Sequence, residues 1–212
     1  MIFQARGLLF DNDGVLVDSA ASVHGSWGEW AKKYAPEFVL DYSHHGRPAR
    51  DIVRSLVSED LFETAYAEIN QLELDLTHLT KPMPGAVELT GSLAPGTWTI
   101  VTSAGPALAK GRLSAAGIPI PAELVTAHDI VNGKPNPDPY LKGAENLGLS
   151  AWDSIVFEDA PSGVKSGVAA GARVIGIGKE VLESAAEIVV HDLTGISFEN
   201  NQLTIPDSNR LR

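Results

Sequence analysis

Two aspartates two residues apart, Asp11 and Asp13 in the run Phe10-Asp11-Asn12-Asp13-Gly14, are the first residues of this chain whose types and spacing could do chemistry. In an extended segment, side chains at i and i+2 project to the same side, so both carboxylates can face one site at the end of a strand. Neighbouring carboxylates repel, and a bound cation or one retained proton relieves the repulsion. The same residues also suit a plain turn, because Asn-Asp-Gly is good turn chemistry. A calcium loop of the EF-hand kind fits less well: Leu16 and Val17 intrude, and Ser22 stands where the final Glu ligand belongs.

Three later sets carry chemistry of their own. Thr102-Ser103 follows an apolar run and precedes Gly105-Pro106, so hydroxyls and free backbone N–H groups lie at a strand-to-helix turn that would welcome an anion. Lys134 lies in Asn132-Gly133-Lys134-Pro135-Asn136-Pro137-Asp138-Pro139 and is held by prolines ahead of a helix start. It is not a Walker A lysine, since Pro135 replaces the required Ser/Thr and His128 the first glycine; a solvated surface charge is its plainer reading. Glu158-Asp159 ends another apolar run just ahead of Pro161, where an acidic helix cap would also explain Asp159.

The elements that must position these sets follow from periodicity. Short β-type runs occur at 7–10, 98–101, 123–126, 154–157, 173–177 and 187–190. Helical patterns lie between most of them, one opened by Pro106 and ending at Gly117, one with Asn136 as N-cap and Pro137 at its first position, and one running from Pro161 toward Gly171. Strand and helix alternating at this spacing predict an α/β fold, a Rossmann-like parallel sheet core with helices on both faces. All four polar sets then fall at the carboxyl ends of strands, where open α/β sheets build their sites.

Residues 18–83 break the rhythm. With Asp18 as N-cap, Val23, Trp27, Trp30, Ala31 and Tyr34 share a helical face; a loop with His44, His45 and Gly46 leads to Ile52, Val53 and Leu56. Leu61, Phe62, Ala65, Ile69, Leu72, Leu76 and Leu79 then recur at three- and four-residue steps. This is too long for a simple connection and predicts a small inserted α-helical cap domain, 18–83, on a core made of 1–17 and 84–212. The tail beyond 195 suggests a hairpin around Asn200-Asn201.

Composition narrows the function. The chain has 212 residues, 44% hydrophobic and 20% charged, which is an ordinary globular make-up. It has no cysteine, so disulfides, thiolate metal sites and a cysteine nucleophile are excluded. Sixteen Lys+Arg against 27 Asp+Glu give a net charge of −11, which disfavours nucleic acid and anionic membranes as partners. No apolar run approaches the length of a membrane span, and a cytoplasmic protein is expected. Composition leaves the oligomeric state open.

The order and form of Asp11-x-Asp13-Gly-Val-Leu-Val-Asp-Ser, Val-Thr102-Ser103-Ala104, Gly-Lys134-Pro-x-Pro-Asp-Pro-Tyr and Phe-Glu158-Asp159-Ala-Pro-Ser-Gly-Val resemble the haloacid dehalogenase-like hydrolase superfamily. The inserted helices resemble the small cap of its phosphoglucomutase and sugar-phosphatase branch. The resemblance implies Mg²⁺-dependent phosphoryl transfer through an aspartyl-phosphate. Asp11 would be the nucleophile and a metal ligand, and Asp13 the general acid/base, also reaching the metal through its backbone carbonyl. Thr102, Ser103 and Ala104 would hold phosphoryl oxygens, Lys134 would neutralise the nucleophile and the phosphate, and Asp159 with Glu158 would complete the metal site. Four of the acids would then gather around one cation and one ammonium, so the field within the site differs from that of the whole molecule.

The branch is read from the cap. Phosphoglucomutases of this family place a histidine five residues after the aspartate of the Asp-Ser/Thr step and an arginine three residues past the cap glycine; here those places hold Val23 and Ala49. The segment His45-Gly46-Arg47-Pro48 instead resembles the 2-deoxyglucose-6-phosphate and glycerol-phosphate phosphatases, with His45, Gly46 and Arg47 as substrate-specificity residues and Arg50 as a helix-surface cation. A phosphatase acting on a small sugar or polyol phosphate is expected. A phosphomutase is the alternative, and a phospho-accepting signalling module is disfavoured by Asp13 and by the insertion.

Overall fold

The computed structural model describes residues 1–41, 44 and 47–212. Strand β1 (Ile2–Gln4) leads into β2 (Gly7–Phe10), after which the chain turns through the two-residue β3 (Val17–Asp18) and leaves the sheet. Helices α1 (Ala20–Tyr34), α2 (Ala49–Leu56) and α3 (Glu59–Asp75) follow, and β4 (Lys81–Pro82) pairs antiparallel with β3 to bring the chain back. The remainder runs through α4 (Ala86–Ser92), β5 (Trp98–Ile100), α5 (Pro106–Ala115), α6 (Asp138–Asn146), β6 (Ser154–Glu158), α7 (Pro161–Ala169), β7 (Arg173–Ile177), β8 (Ile188–Val190), β9 (Ser197–Glu199) and β10 (Gln202–Thr204).

β5, β2, β6, β7 and β8 form a parallel sheet in that order. Alternate residues of its strands bury on opposite faces. Leu8, Phe10, Ile155, Phe157, Ile175 and Ile177 pack with Ala86, Leu89 and Leu113 of α4 and α5, whereas Leu9, Val156 and Val174 pack with Tyr140, Ala144 and Val164 of α6 and α7. Both faces are apolar because both are covered by helices, as parallel sheets require. From β2 the chain goes to one side for β5 and to the other for β6, and the crevice outside the carboxyl end of β2 stays open between the two connections.

The inserted helices have a cluster of their own: Trp27, Trp30 and Ala31 of α1, Ile52 and Val53 of α2, and Phe62, Ala65 and Ile69 of α3. The Trp30 indole N–H donates to the Ala65 carbonyl at 2.8 Å, so this aromatic core also fixes the register of α1 on α3. Leu61 departs from expectation and stays exposed, one residue off the stripe that carries Phe62; Leu79 is likewise exposed. Arg50 is a surface cation stacked near the Phe62 and Tyr66 rings.

Three other boundaries move. The run 123–126 forms no strand: only Val125 bridges to Val101, because the Asp129 carboxylate accepts from both Thr126 N at 2.8 Å and Thr126 Oγ1 at 2.7 Å and turns the chain away. α6 begins at Asp138, and Asn136 does not cap it; its Nδ2 donates back to the Gly133 carbonyl at 2.9 Å. Ser19, not Asp18, is the residue ahead of α1, though Asp18 Oδ1 accepts from Ala20 N at 3.1 Å. The hairpin at Asn200-Asn201 is present, with both residues at positive φ (51° and 62°), and β10 also pairs with β1 to make a second, antiparallel sheet. Among the described residues no helix is long and apolar enough to cross a membrane.

Candidate active site

Parallel register sets the site. Phe10 of β2 stands beside Ile100 of β5 and Phe157 of β6, and the ladder continues through Val101 N to the Phe10 carbonyl (2.8 Å) and Asp11 N to the Phe157 carbonyl (3.0 Å). Asp11, Val101 and Glu158 therefore come off adjacent strands at one level.

Lys134 reaches this level from the loop before α6. Its Nζ donates to Asp11 Oδ1 at 2.6 Å, to Glu158 Oε1 at 2.6 Å and to the Val101 carbonyl at 3.0 Å. An ammonium has three N–H bonds, and all three are used. The side chain is buried, so the plainer surface reading of Lys134 does not hold. Burial disfavours its charge, but Asp11 and Glu158 more than offset that, and its pKa is raised. Burial is also the largest influence on Asp11; with the charges of Glu158 and Asp13 it outweighs the lowering effect of Lys134 and raises the carboxyl from 3.8 to about 7. Asp159 is raised well above its ordinary value by burial and then by Glu158 and Asp11.

Glu158 is held through both of its carboxylate oxygens. Its Oε1 accepts from Lys134 and from the Tyr140 hydroxyl (2.7 Å), and its Oε2 from Ala160 N (3.2 Å) at the entry to α7. Two glycines make these approaches possible. A Cβ at Gly163 would run into the Glu158 carboxylate, and a Cβ at Gly14, where φ is 82°, into that of Asp159. Gly163→Ala is accordingly expected to displace Glu158 and, through it, Lys134, lowering stability by about 1–3 kcal/mol. Denaturant unfolding against the parent measures this, and an unchanged midpoint would mean that the carboxylate moves freely.

Asp11, Glu158 and Asp159 each offer an oxygen within 4.8 Å of the others, a donor set that could hold a divalent cation. Hard carboxylate oxygens suit such an ion; burial first, and the neighbouring carboxylates after it, disfavour the charged forms of Asp11 and Asp159, and a cation would offset both. Thr102 is buried beside this cluster; its Oγ1 accepts from Ala104 N at 3.1 Å, forming the turn that leads through Ser103 into α5.

Asp13 lies at the edge of the site. Its Oδ1 accepts from Ser19 Oγ at 2.5 Å and from Arg112 at 2.9 Å, and its Oδ2 from Asn12 Nδ2 at 3.2 Å. The second terminal nitrogen of Arg112 donates to Glu73 Oε1 of α3 at 3.0 Å. The sequence pattern singles out neither Arg112 nor Glu73, and it gives Tyr140 only as the last residue of the Lys134 motif. The signal was there: Arg112 follows Leu108 by four residues on the buried face of α5, and Glu73 follows Ile69 by four on that of α3, each a charge in an apolar position.

Of the segment assigned to specificity, His45 and Gly46 lie outside the described residues. Arg47 is exposed, and its backbone N–H donates to the His44 carbonyl at 3.2 Å. Next to it, Pro48 Cγ lies 3.9 Å from where a Cβ on Gly133 would stand, so this end of the insertion approaches the Lys134 loop.

Comparison with known proteins agrees with this geometry. The haloacid dehalogenase-like hydrolase family matches residues 8–177. The chain is 38% identical to hexitol phosphatase A of Escherichia coli (strain K12) over 204 residues, covering 92% of this chain and 94% of that protein. It is 33% identical to glycerol-1-phosphate phosphohydrolase 2 of Saccharomyces cerevisiae over 189 residues, covering 82% and 75%. Among solved structures, a hydrolase from Pseudomonas syringae superposes with a TM-score of 0.75 at 26% identity, covering 89% of this chain and 94% of that one. Sequence and architecture together place this chain in the haloacid dehalogenase-like hydrolase family.

Proposed function

We propose that the protein is a phosphatase that hydrolyses a small sugar-phosphate or polyol-phosphate monoester, with Asp11 as nucleophile and Mg²⁺ as the cation held by Asp11 and Asp159. The observation that carries this reading is the 2.6 Å contact of Lys134 with Asp11 Oδ1, which places a cation beside the nucleophile and, among the described residues, leaves Oδ2 without a hydrogen bond and available for attack. The relatives named as hexitol and glycerol-phosphate phosphatases support the substrate class. Bound at the cluster, the metal ion supplies the charge neutralisation that lets a carboxylate approach a phosphate dianion.

The chain's own residues do the rest. Lys134 neutralises the nucleophile and then the phosphoryl charge, and Glu158 serves mainly to hold Lys134. Thr102, Ser103 and Ala104 receive phosphoryl oxygens at the turn before α5. Attack by Asp11 forms a carboxyl–phosphate bond as the ester oxygen leaves. Asp13 protonates that alkoxide and then takes a proton from the water that cleaves the aspartyl-phosphate. Residues 18–83 act as a cap over the core of 1–17 and 84–212, with His45, Gly46 and Arg47 as its substrate-specificity residues, in the cytoplasm where phosphorylated metabolites are made.

Phosphate release from a panel of sugar and polyol phosphates tests this reading. Turnover is expected with Mg²⁺ and is expected to vanish with a chelator and return when Mg²⁺ is restored. Isomerised substrate with only slow phosphate release would replace hydrolysis by a phosphomutase reaction.

A further inference from the structure

We infer that Arg112 is a positioning residue for Asp13, tied to the inserted helices through Glu73. The inference rests on the reading of Asp13 as the general acid and base. Arg112 and Glu73 are both nearly inaccessible, at 4% and 5% exposure. Burying an arginine and a glutamate together gains little stability over apolar residues of similar volume, so packing alone does not account for them. Asp13 differs: its side chain is 31% exposed at the edge of the crevice and does not need the guanidinium for solvation.

The guanidinium is oriented by its two end nitrogens. One donates to Asp13 and the other to Glu73, while its buried Nε has no hydrogen-bond partner among the described residues. A group placed only to satisfy its own donors would not leave one unpaired in the interior. A guanidinium keeps its proton throughout the working pH range, so it does not compete for the moving proton.

The consequence is a distinction between the two oxygens of Asp13. Oδ1 receives Arg112 at 2.9 Å and Ser19 at 2.5 Å, whereas Oδ2 receives, among the described residues, only the 3.2 Å contact from Asn12. With Oδ1 saturated by donors, Oδ2 carries the proton that is delivered to the leaving alkoxide. Glu73, from α3, restrains the guanidinium from the other side and keeps it from swinging onto Asp13 in a bidentate pair. Nearby, Thr77 Cγ2 lies 3.0 Å from where a Cβ on Gly111 would stand, so the base of the insertion is packed tightly on α5 where the bridge crosses.

A general acid matters in proportion to how badly the leaving group needs a proton, so kcat/KM for phenyl phosphate and p-nitrophenyl phosphate reads the role directly. Both are aryl esters of similar size, and the nitrophenolate leaves readily without a proton. Arg112→Met is expected to lower kcat/KM on phenyl phosphate by about 10²-fold and on p-nitrophenyl phosphate far less. Arg112→Lys, with one compact ammonium for two carboxylates, is expected to lie between, and Glu73→Gln to show a smaller loss of the same selectivity. Because Arg112→Met leaves Glu73 buried without its cation, the double variant Arg112→Met/Glu73→Leu is measured alongside it and is expected to keep both the fold and the selective loss. An even loss on both esters in these folded variants, or no loss, overturns the positioning role. Asp13→Asn separates the two levels: an even loss there removes the acid assignment itself, whereas a selective loss there with an even one at Arg112 removes only this inference.

Discussion

Asp11→Asn is expected to abolish turnover, lowering kcat by about 10⁴-fold or more, and to leave no phosphate attached to the protein after acid quench with substrate. The substitution is isosteric, so the loss reports chemistry rather than packing. Lys134 keeps Glu158 and the Val101 carbonyl as partners. Undiminished turnover, or a phosphoryl group trapped on the variant, would remove Asp11 as the nucleophile. A second readout comes from stability of the metal-free protein. The folded-state pKa of Asp11, about 7, lies above its ordinary 3.8. Between those values the native state binds more protons than the unfolded state, so stability falls as pH rises through that window and levels off above it. Asp159 is raised as well and acts in the same direction. Urea midpoints between pH 4 and pH 8 are expected to fall less steeply in Asp11→Asn, which lacks one of the two groups. An identical pH profile would mean that Asp11 does not titrate there.

The second large effect is at Lys134. Lys134→Met removes the only cation that contacts Asp11 and Glu158 among the described residues, and leaves both carboxylates buried without it. Breaking a buried ion pair from one side costs about 3–5 kcal/mol, and losing a preorganised charge at the reacting group costs about 10²–10³ in kcat. The two losses have different cures. Adding Glu158→Gln removes one unpaired charge while leaving an amide oxygen for the Tyr140 hydroxyl, so the double variant is expected to recover part of the stability and none of the activity. Urea unfolding and steady-state rates on the same preparations check this. Equal stability of Lys134→Met and the parent would contradict the buried pair, and recovery of rate in the double variant would contradict a role for Lys134 beyond holding Glu158.

Much of this was legible from local pattern. Strand and helix alternation, the four polar sets at strand ends and the long insertion after β3 depend on periodicity and breakers within a dozen or so residues. The hairpin at Asn200-Asn201 was readable because the turn needs two residues that tolerate positive φ, and asparagine does. Local reading failed where a side chain intervened. Asp129 captures the donors of Thr126 and ends a strand that the apolar run had promised, and Asn136 spends its amide on Gly133 instead of on a helix cap.

What the sequence by itself determined is the inventory: two aspartates at a strand end, a hydroxyl turn, a proline-held lysine, an acidic pair and a set of inserted helices. Only the tertiary structure decided which of these meet. Lys134 contacts Asp11 across 123 residues and Glu158 across 24, and no periodicity encodes such distances. They follow from the parallel register that sets β5, β2 and β6 level and from the crossover that returns the lysine loop to that end. The Glu73–Arg112–Asp13 bridge and the Tyr140 hydroxyl on Glu158 belong to the same class. Each residue occupies an apolar position by its spacing, and only the packing of helices against the sheet and against one another shows that its polar end has a partner.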